Sequence, residues 1–141
     1  MALPTKVLFV CIGNSCRSQM AEALARHSSR DTMDVASAGL TPLGFVAGPT
    51  REVLTERGVP SDGQTSKGLG EINRFQPDLI VNMSGYPGRG KFGDYDFEDW
   101  DVEDPYGDDI ATYRRICDDI EARISELSAR LRARTKSDAP D

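Results

Sequence analysis

Six residues near the start of the chain, 6–11 (KVLFVC), narrow the fold more than any other stretch. They form an unbroken apolar run rich in β-branched side chains, followed at once by a turn carrying Gly13 and Asn14. A strand without polar alternation has to bury both of its faces, which is the situation of an inner strand in a parallel sheet. A parallel sheet in turn needs helical crossovers to cover it, so the run predicts an α/β chain.

The remaining pattern agrees. From Ser18 the period becomes helical, with Met20, Ala21, Leu24 and Ala25 on one face and Ser18 as the expected N-cap. Residues 34–38 read as a second strand and 40–49 as a loop. Residues 49–57 read as a helix stopped by Gly58, and 64–75 as a further helix weakened by Gly68 and Gly70. Residues 79–83 (LIVNM) are a third buried strand, 85–93 a glycine-rich surface loop, and 95–100 hold a short fourth strand. Ile110, Tyr113, Ile116, Cys117, Ile120, Ile124, Leu127 and Leu131 recur at helical spacing, so 110–131 is the longest helix. One domain over 1–132 is expected, with 133–141 as a polar, frayed tail. Sheets of this kind bind ligands beyond the carboxyl ends of their strands, and Cys11 stands at such an end.

Composition excludes several functions. At 141 residues, 38% hydrophobic and 28% charged, the chain is of ordinary globular make-up and long enough for one unstapled core. No apolar run approaches the ~20 residues of a membrane helix, and residues 1–10 read as a strand rather than a secretory signal; no membrane partner is expected, and the cytoplasm is the expected location. A net charge of −6 argues against a nucleic-acid partner. Three cysteines make neither a disulfide framework nor a zinc site, and the lone His27 sits in a polar stretch, so no metal and no cofactor is expected.

The chemistry concentrates in residues 10–18, V-C-I-G-N-S-C-R-S. In a strand–loop–helix, the N–H groups of Ile12, Gly13, Asn14, Ser15 and Cys16 can turn inward and join the positive end of the following helix as an anion cradle. Gly13 opens backbone conformations closed to most residues, and Asn14 tolerates the left-handed region. Arg17 offers a planar fork to two oxygens of a tetrahedral oxyanion. A cysteine at the base of such a cradle feels the same field, which favours thiolates, and the Ser18 hydroxyl can hold the sulfur further. Cys11 is therefore the expected nucleophile, aligned beneath a bound oxyanion, most simply a phosphate monoester.

The run V-C-I-G-N-S-C-R-S-Q-M-A-E-A resembles the low-molecular-weight protein tyrosine phosphatases and the arsenate reductases of the same fold, and the likeness extends from residue 6 to about 131. It implies a four-stranded parallel sheet flanked by helices, a three-layer sandwich. It implies a phosphocysteine on Cys11, with Arg17 and the loop amides on the equatorial oxygens and Asn14 and Ser18 holding loop and thiolate. Residues 104–107, D-P-Y-G, match the family's acid loop, which makes Asp104 the general acid and Tyr106 a wall of the cleft; Leu43 and Phe45 are candidates for the opposite wall, and Trp100 belongs to the core. The residue before a proline is driven toward extended backbone, which suits an inward-pointing carboxylate.

Two reactions compete within that resemblance. Gln19 stands where the phosphatases usually carry proline, and residues 40–50 and 64–67 (QTSK) also resemble the reductases. The thioredoxin-coupled reductases, however, use two further cysteines near the end of the third strand, and here 79–84 contains none. With D-P-Y-G present, the expectation is a phosphatase acting on a phosphorylated protein or a small phosphoester. The alternative is an arsenate reductase that uses an external small thiol, and a non-catalytic phosphate- or arsenate-binding module ranks third. The resemblance further implies a reversible Cys11–Cys16 disulfide under oxidation. Some related reductases hold potassium beside the loop, but Lys67 stands where an acidic ligand is expected, so none is expected here.

Overall fold

The computed structural model describes residues 4–138, with side chains through 134. Its elements run β1 (Thr5–Cys11), α1 (Arg17–Ser28), β2 (Met33–Gly39), α2 (Gly48–Glu56), α3 (Glu71–Phe75), β3 (Leu79–Asn82), β4 (Phe97–Asp99) and α4 (Ile110–Asp138). The four strands lie in the order β2-β1-β3-β4, all parallel, so the apolar run is indeed an inner strand paired on both edges. Among the described residues no helix is long and apolar enough to cross a membrane.

β1 divides the core by alternation. Val7, Phe9 and Cys11 join the larger cluster with Met20, Leu24, Tyr113, Ile116, Ile120 and Ile124 of α1 and α4. Leu8 and Val10 point the other way, into a smaller cluster with Ala38, Ile80 and Phe92, against which Leu69, Ile72 and Phe75 pack. The result is the expected three-layer sandwich. Trp100 is core, its ring centroid 6.0 Å from that of Phe9, and Cys117 is fully buried on the inner face of α4.

Three local expectations are corrected. Residues 64–70 are not helical, and only Glu71–Phe75 closes a short α3; the preceding segment runs along β2, bridging Gly39 to Gly68. Its polar groups are spent on the loop after β1, as shown below, rather than on helix-forming neighbours. Ser18 does not cap α1, which begins at Arg17 without a side-chain cap. Finally, α4 continues past Leu131 through Asp138.

Register sets the position of the site. Cys11 pairs with Gly39 at the carboxyl ends of β1 and β2, so the loop after β1 crosses directly over Gly39. A Cβ there would lie 2.7 Å from the Ile12 carbonyl and 2.8 Å from the Asn14 nitrogen, both backbone atoms. Only glycine allows that crossing.

Candidate active site

The loop between β1 and α1 is held inside out. The carbonyls of Cys11, Ile12, Gly13 and Ser15 accept hydrogen bonds from the amides of Leu40, Thr41, Leu43 and Ala47 at 3.0, 2.8, 2.9 and 3.1 Å. With these carbonyls tied to residues 40–47, the N–H groups of residues 12–16 meet no acceptor among the described residues. Asn14, not Gly13, takes the left-handed conformation, at φ 47°. Gly13 matters for space instead: a Cβ would come 2.9 Å from Leu43 Cγ.

Cys11 is 2% exposed and sits at the floor of a cavity of about 110 Å³, lined by Ile12, Gly13, Ser15, Cys16, Arg17, Leu43, Asp104 and Tyr106 as well. The sulfur is 2.8 Å from Ser18 Oγ, and Asn14 Nδ2 donates to that same oxygen at 2.8 Å. Because the asparagine amide occupies a lone pair of the hydroxyl, the hydroxyl hydrogen is free to point at sulfur. Ser18 thus serves the sulfur rather than the helix end.

Arg17 is buried, and one side of its guanidinium is anchored: Nη1 donates to the carbonyls of Met83, after β3, and Val102, the latter at 3.1 Å. Nη2 lies 3.5 Å from Asp104 Oδ2, and Nε is buried without a partner. An orphaned buried N–H is costly, and the Nε–Nη2 edge is the one that grips two oxygens of an oxyanion. Ser15 Oγ is the second buried polar atom of the cavity left unpaired.

The other expected residues fall as follows. Asp104 lies at the mouth with its side chain 45% exposed, its Oδ1 accepting the Tyr106 N–H at 3.1 Å. Tyr106 (53% exposed) and Leu43 face each other across the opening, whereas Phe45 is exposed and does not line it. Cys16 opens on the cavity as a free thiol whose pKa is pushed up by burial, and its sulfur lies 3.5 Å from the buried Tyr113 hydroxyl. His27 is exposed at the end of α1, outside the cavity. A larger cavity of about 510 Å³ between Lys6, Arg26 and Arg30 is lined by no cysteine.

Several residues that shape the site carried no strong signal in the sequence. Gly39 lets the loop pass. Gln19 reaches back from α1 to donate to the Asn14 carbonyl and side-chain oxygen, both at 3.0 Å, and Gln64 donates to Gln19 in turn. Carboxamides look like surface residues until their partners, far off in sequence, are known.

The family model for low molecular weight phosphotyrosine protein phosphatases matches residues 6–89 and 90–137. The chain belongs to that family. Within it the chain is 32% identical over 130 residues to a glutaredoxin arsenate reductase of Synechocystis sp., across 89% of this chain and 98% of the relative. Among solved structures it is similar to an arsenate reductase in the phosphate binding state, with a TM-score of 0.81, 32% identity and coverage of 90% and 98% of the two chains. It is also similar to an arginine phosphatase from Geobacillus stearothermophilus, with a TM-score of 0.83, 27% identity and coverage of 98% and 99%. The family consists of cysteine-based enzymes that bind phosphate or arsenate oxyanions, and its members of both reaction types share this fold. The similarities favour the reductase branch over the phosphatase expected first from the sequence.

Proposed function

We propose that the chain is an arsenate reductase of the external-thiol type, with Cys11 as nucleophile, Arg17 and the loop amides as the oxyanion clamp, and Asp104 as proton donor. Cys11 attacks arsenic and a hydroxide leaves as water on taking a proton from Asp104. An external thiol then forms an S–S bond with Cys11, the S–As bonding pair stays on arsenic, and As(V) departs as arsenite, As(III). A second thiol releases Cys11 and leaves a small-molecule disulfide, so two thiols are oxidised for each arsenate reduced. The buried, unpaired Nε of Arg17, in the cavity that Cys11 also lines, is the observation that carries the oxyanion chemistry, and the reductase relatives supply the choice of arsenic.

The resolving thiol has to come from outside. Cys117 is enclosed by the core, and burial pushes its thiol up to about 11. The end of β3 carries Ser84, whose hydroxyl is 3.3 Å from the Tyr86 carbonyl. Cys16 shares the cavity, but burial pushes its thiol up and its sulfur lies 3.5 Å from the Tyr113 hydroxyl, which disfavours it as the attacking thiol.

The phosphatase reading has its own support: Asp104 pairs with Arg17 at 3.5 Å and lines the Cys11 cavity with Leu43 and Tyr106, which suits a proton donor to the leaving group of a phosphate ester. One comparison divides the two. On a single preparation, arsenate-dependent oxidation of a small thiol should outpace hydrolysis of p-nitrophenyl phosphate, and Cys11→Ser should abolish both. Brisk hydrolysis without arsenate-dependent thiol consumption would reverse the assignment, and survival of either activity in Cys11→Ser would end the nucleophile reading.

A further inference from the structure

Beside the loop lies a buried polar cluster none of whose members lines the cavity. At its centre is the Glu22 carboxylate, 4% exposed, which accepts from Ser37 Oγ at 2.8 Å and from Gln64 Nε2 at 3.2 Å. Two cations face it: Arg26, one turn along α1, at 3.0 Å, and Lys67, whose Nζ is 3.8 Å away. The Lys67 ammonium also donates to the Thr65 carbonyl at 2.7 Å and lies 3.5 Å from Ser37 Oγ. A buried carboxylate tolerates its position only when neutralised, so this ammonium is held where it is.

The backbone of the same residue touches the loop. Lys67 N–H donates to Asn14 Oδ1 at 2.7 Å, and the Lys67 carbonyl accepts from Gly39 at 2.8 Å. With its oxygen fixed by Lys67 and Gln19, the Asn14 amide must present its NH₂ to Ser18, and the Ser18 hydrogen must then go to sulfur. Three hydrogen bonds therefore connect Lys67 to Cys11. Were Asn14 to turn over, its oxygen would take the Ser18 hydrogen and the sulfur would lose its donor.

We infer that Lys67 is a positioning residue for the nucleophile: its ammonium, paired with Glu22, seats the 64–68 segment from which its N–H orients Asn14, and through Asn14 the Ser18 hydroxyl that faces Cys11. The inference rests on Cys11 as nucleophile and not on which oxyanion it attacks, so its test uses neither substrate.

The rate of Cys11 alkylation by iodoacetamide, followed by mass spectrometry across a pH series, reads the thiolate directly. Arg17, Asp104, Cys16 and Tyr106 are the charged and titratable groups that share the Cys11 cavity, and Lys67→Met leaves all four in place. It keeps the backbone N–H but removes the ammonium from the Oε1 side of Glu22, leaving the half-exposed Arg26 as the cation that faces the carboxylate. Its alkylation profile should move to higher pH, with the rate on the acid side of the midpoint falling about tenfold per unit moved. Adding Glu22→Gln should recover most of that loss, because the buried charge that Lys67 helped to offset is gone. Lys67→Gln, which still donates toward Glu22 and folds more readily, should shift the profile less, and Lys67→Arg should preserve it. A wild-type profile in Lys67→Met or Lys67→Gln, with only thermal stability reduced, would overturn the inference, as would a double variant no better than Lys67→Met alone.

Discussion

The two loops that meet over Cys11 are built on opposite plans. The loop after β1 is buried almost throughout, its carbonyls tied to residues 40–47 and its one left-handed residue locked by Gln19, Lys67 and Ser18. The loop before α4 is anchored at buried Trp100 and Val102 and then rises to the surface, where Asp104 and Tyr106 are half exposed. Its outer ties are ion pairs such as Arg115–Glu103, both partners solvated. The proposed nucleophile is encased, and the proposed proton donor is left at the rim. Preorganisation belongs to the first plan and adaptability to the second.

If that contrast is right, substitutions should fail in different ways on the two sides. Asp104→Asn should leave folding and oxyanion affinity intact but slow turnover roughly 100- to 10,000-fold, most for esters with poor leaving groups. An equal loss for good and poor leaving groups in steady-state assays would remove its role as acid. Gly39→Ala should do the reverse. Its Cβ meets backbone of the encased loop, costing about 1–3 kcal/mol in denaturant melts and weakening phosphate binding, because the cradle itself is displaced. A variant as stable as wild type would mean that the loop yields, and the contrast would blur.

Titration sharpens it further. Cys117, in the core behind both loops, ionises at about 11 in the folded chain against 9.0 for an ordinary thiol. A pKa raised by folding favours the folded state fully below pH 9, and that stabilisation fades as pH climbs through 11. The thermal midpoint should accordingly fall between these values more steeply in wild type than in Cys117→Ala, and parallel slopes would refute the assignment. The smallest effect is expected at the rim: Glu103→Gln should leave melting and activity unchanged within error, since an exposed ion pair contributes little.

The frame of this fold was legible because its signals are local. A doubly buried strand, a glycine–asparagine turn and an amphipathic helix each announce themselves within a dozen residues, and the D-P-Y-G match put Asp104 at the mouth. What could not be read was how distant segments share the work. Residues 64–70 have helical-looking composition, but Lys67 and Gln64 are claimed by Asn14, Gln19 and Glu22, and tertiary demand overrides a weak propensity. Ser18 carries two readings in the sequence for a similar reason: a hydroxyl at that spacing fits a cap or a sulfur partner, and the placement of Asn14 favours the second. The choice between arsenate and phosphate was equally hidden, since both ions ask for the same amides and guanidinium.

One consequence follows from where Arg17 is moored. Its guanidinium is fastened to the carbonyls of Met83 and Val102, residues that emerge long after it during synthesis. A chain completed only as far as β2 would already possess its cysteine, but nothing would yet hold the arginine over it. The arginine thus takes up its place only once the chain has been made past Val102.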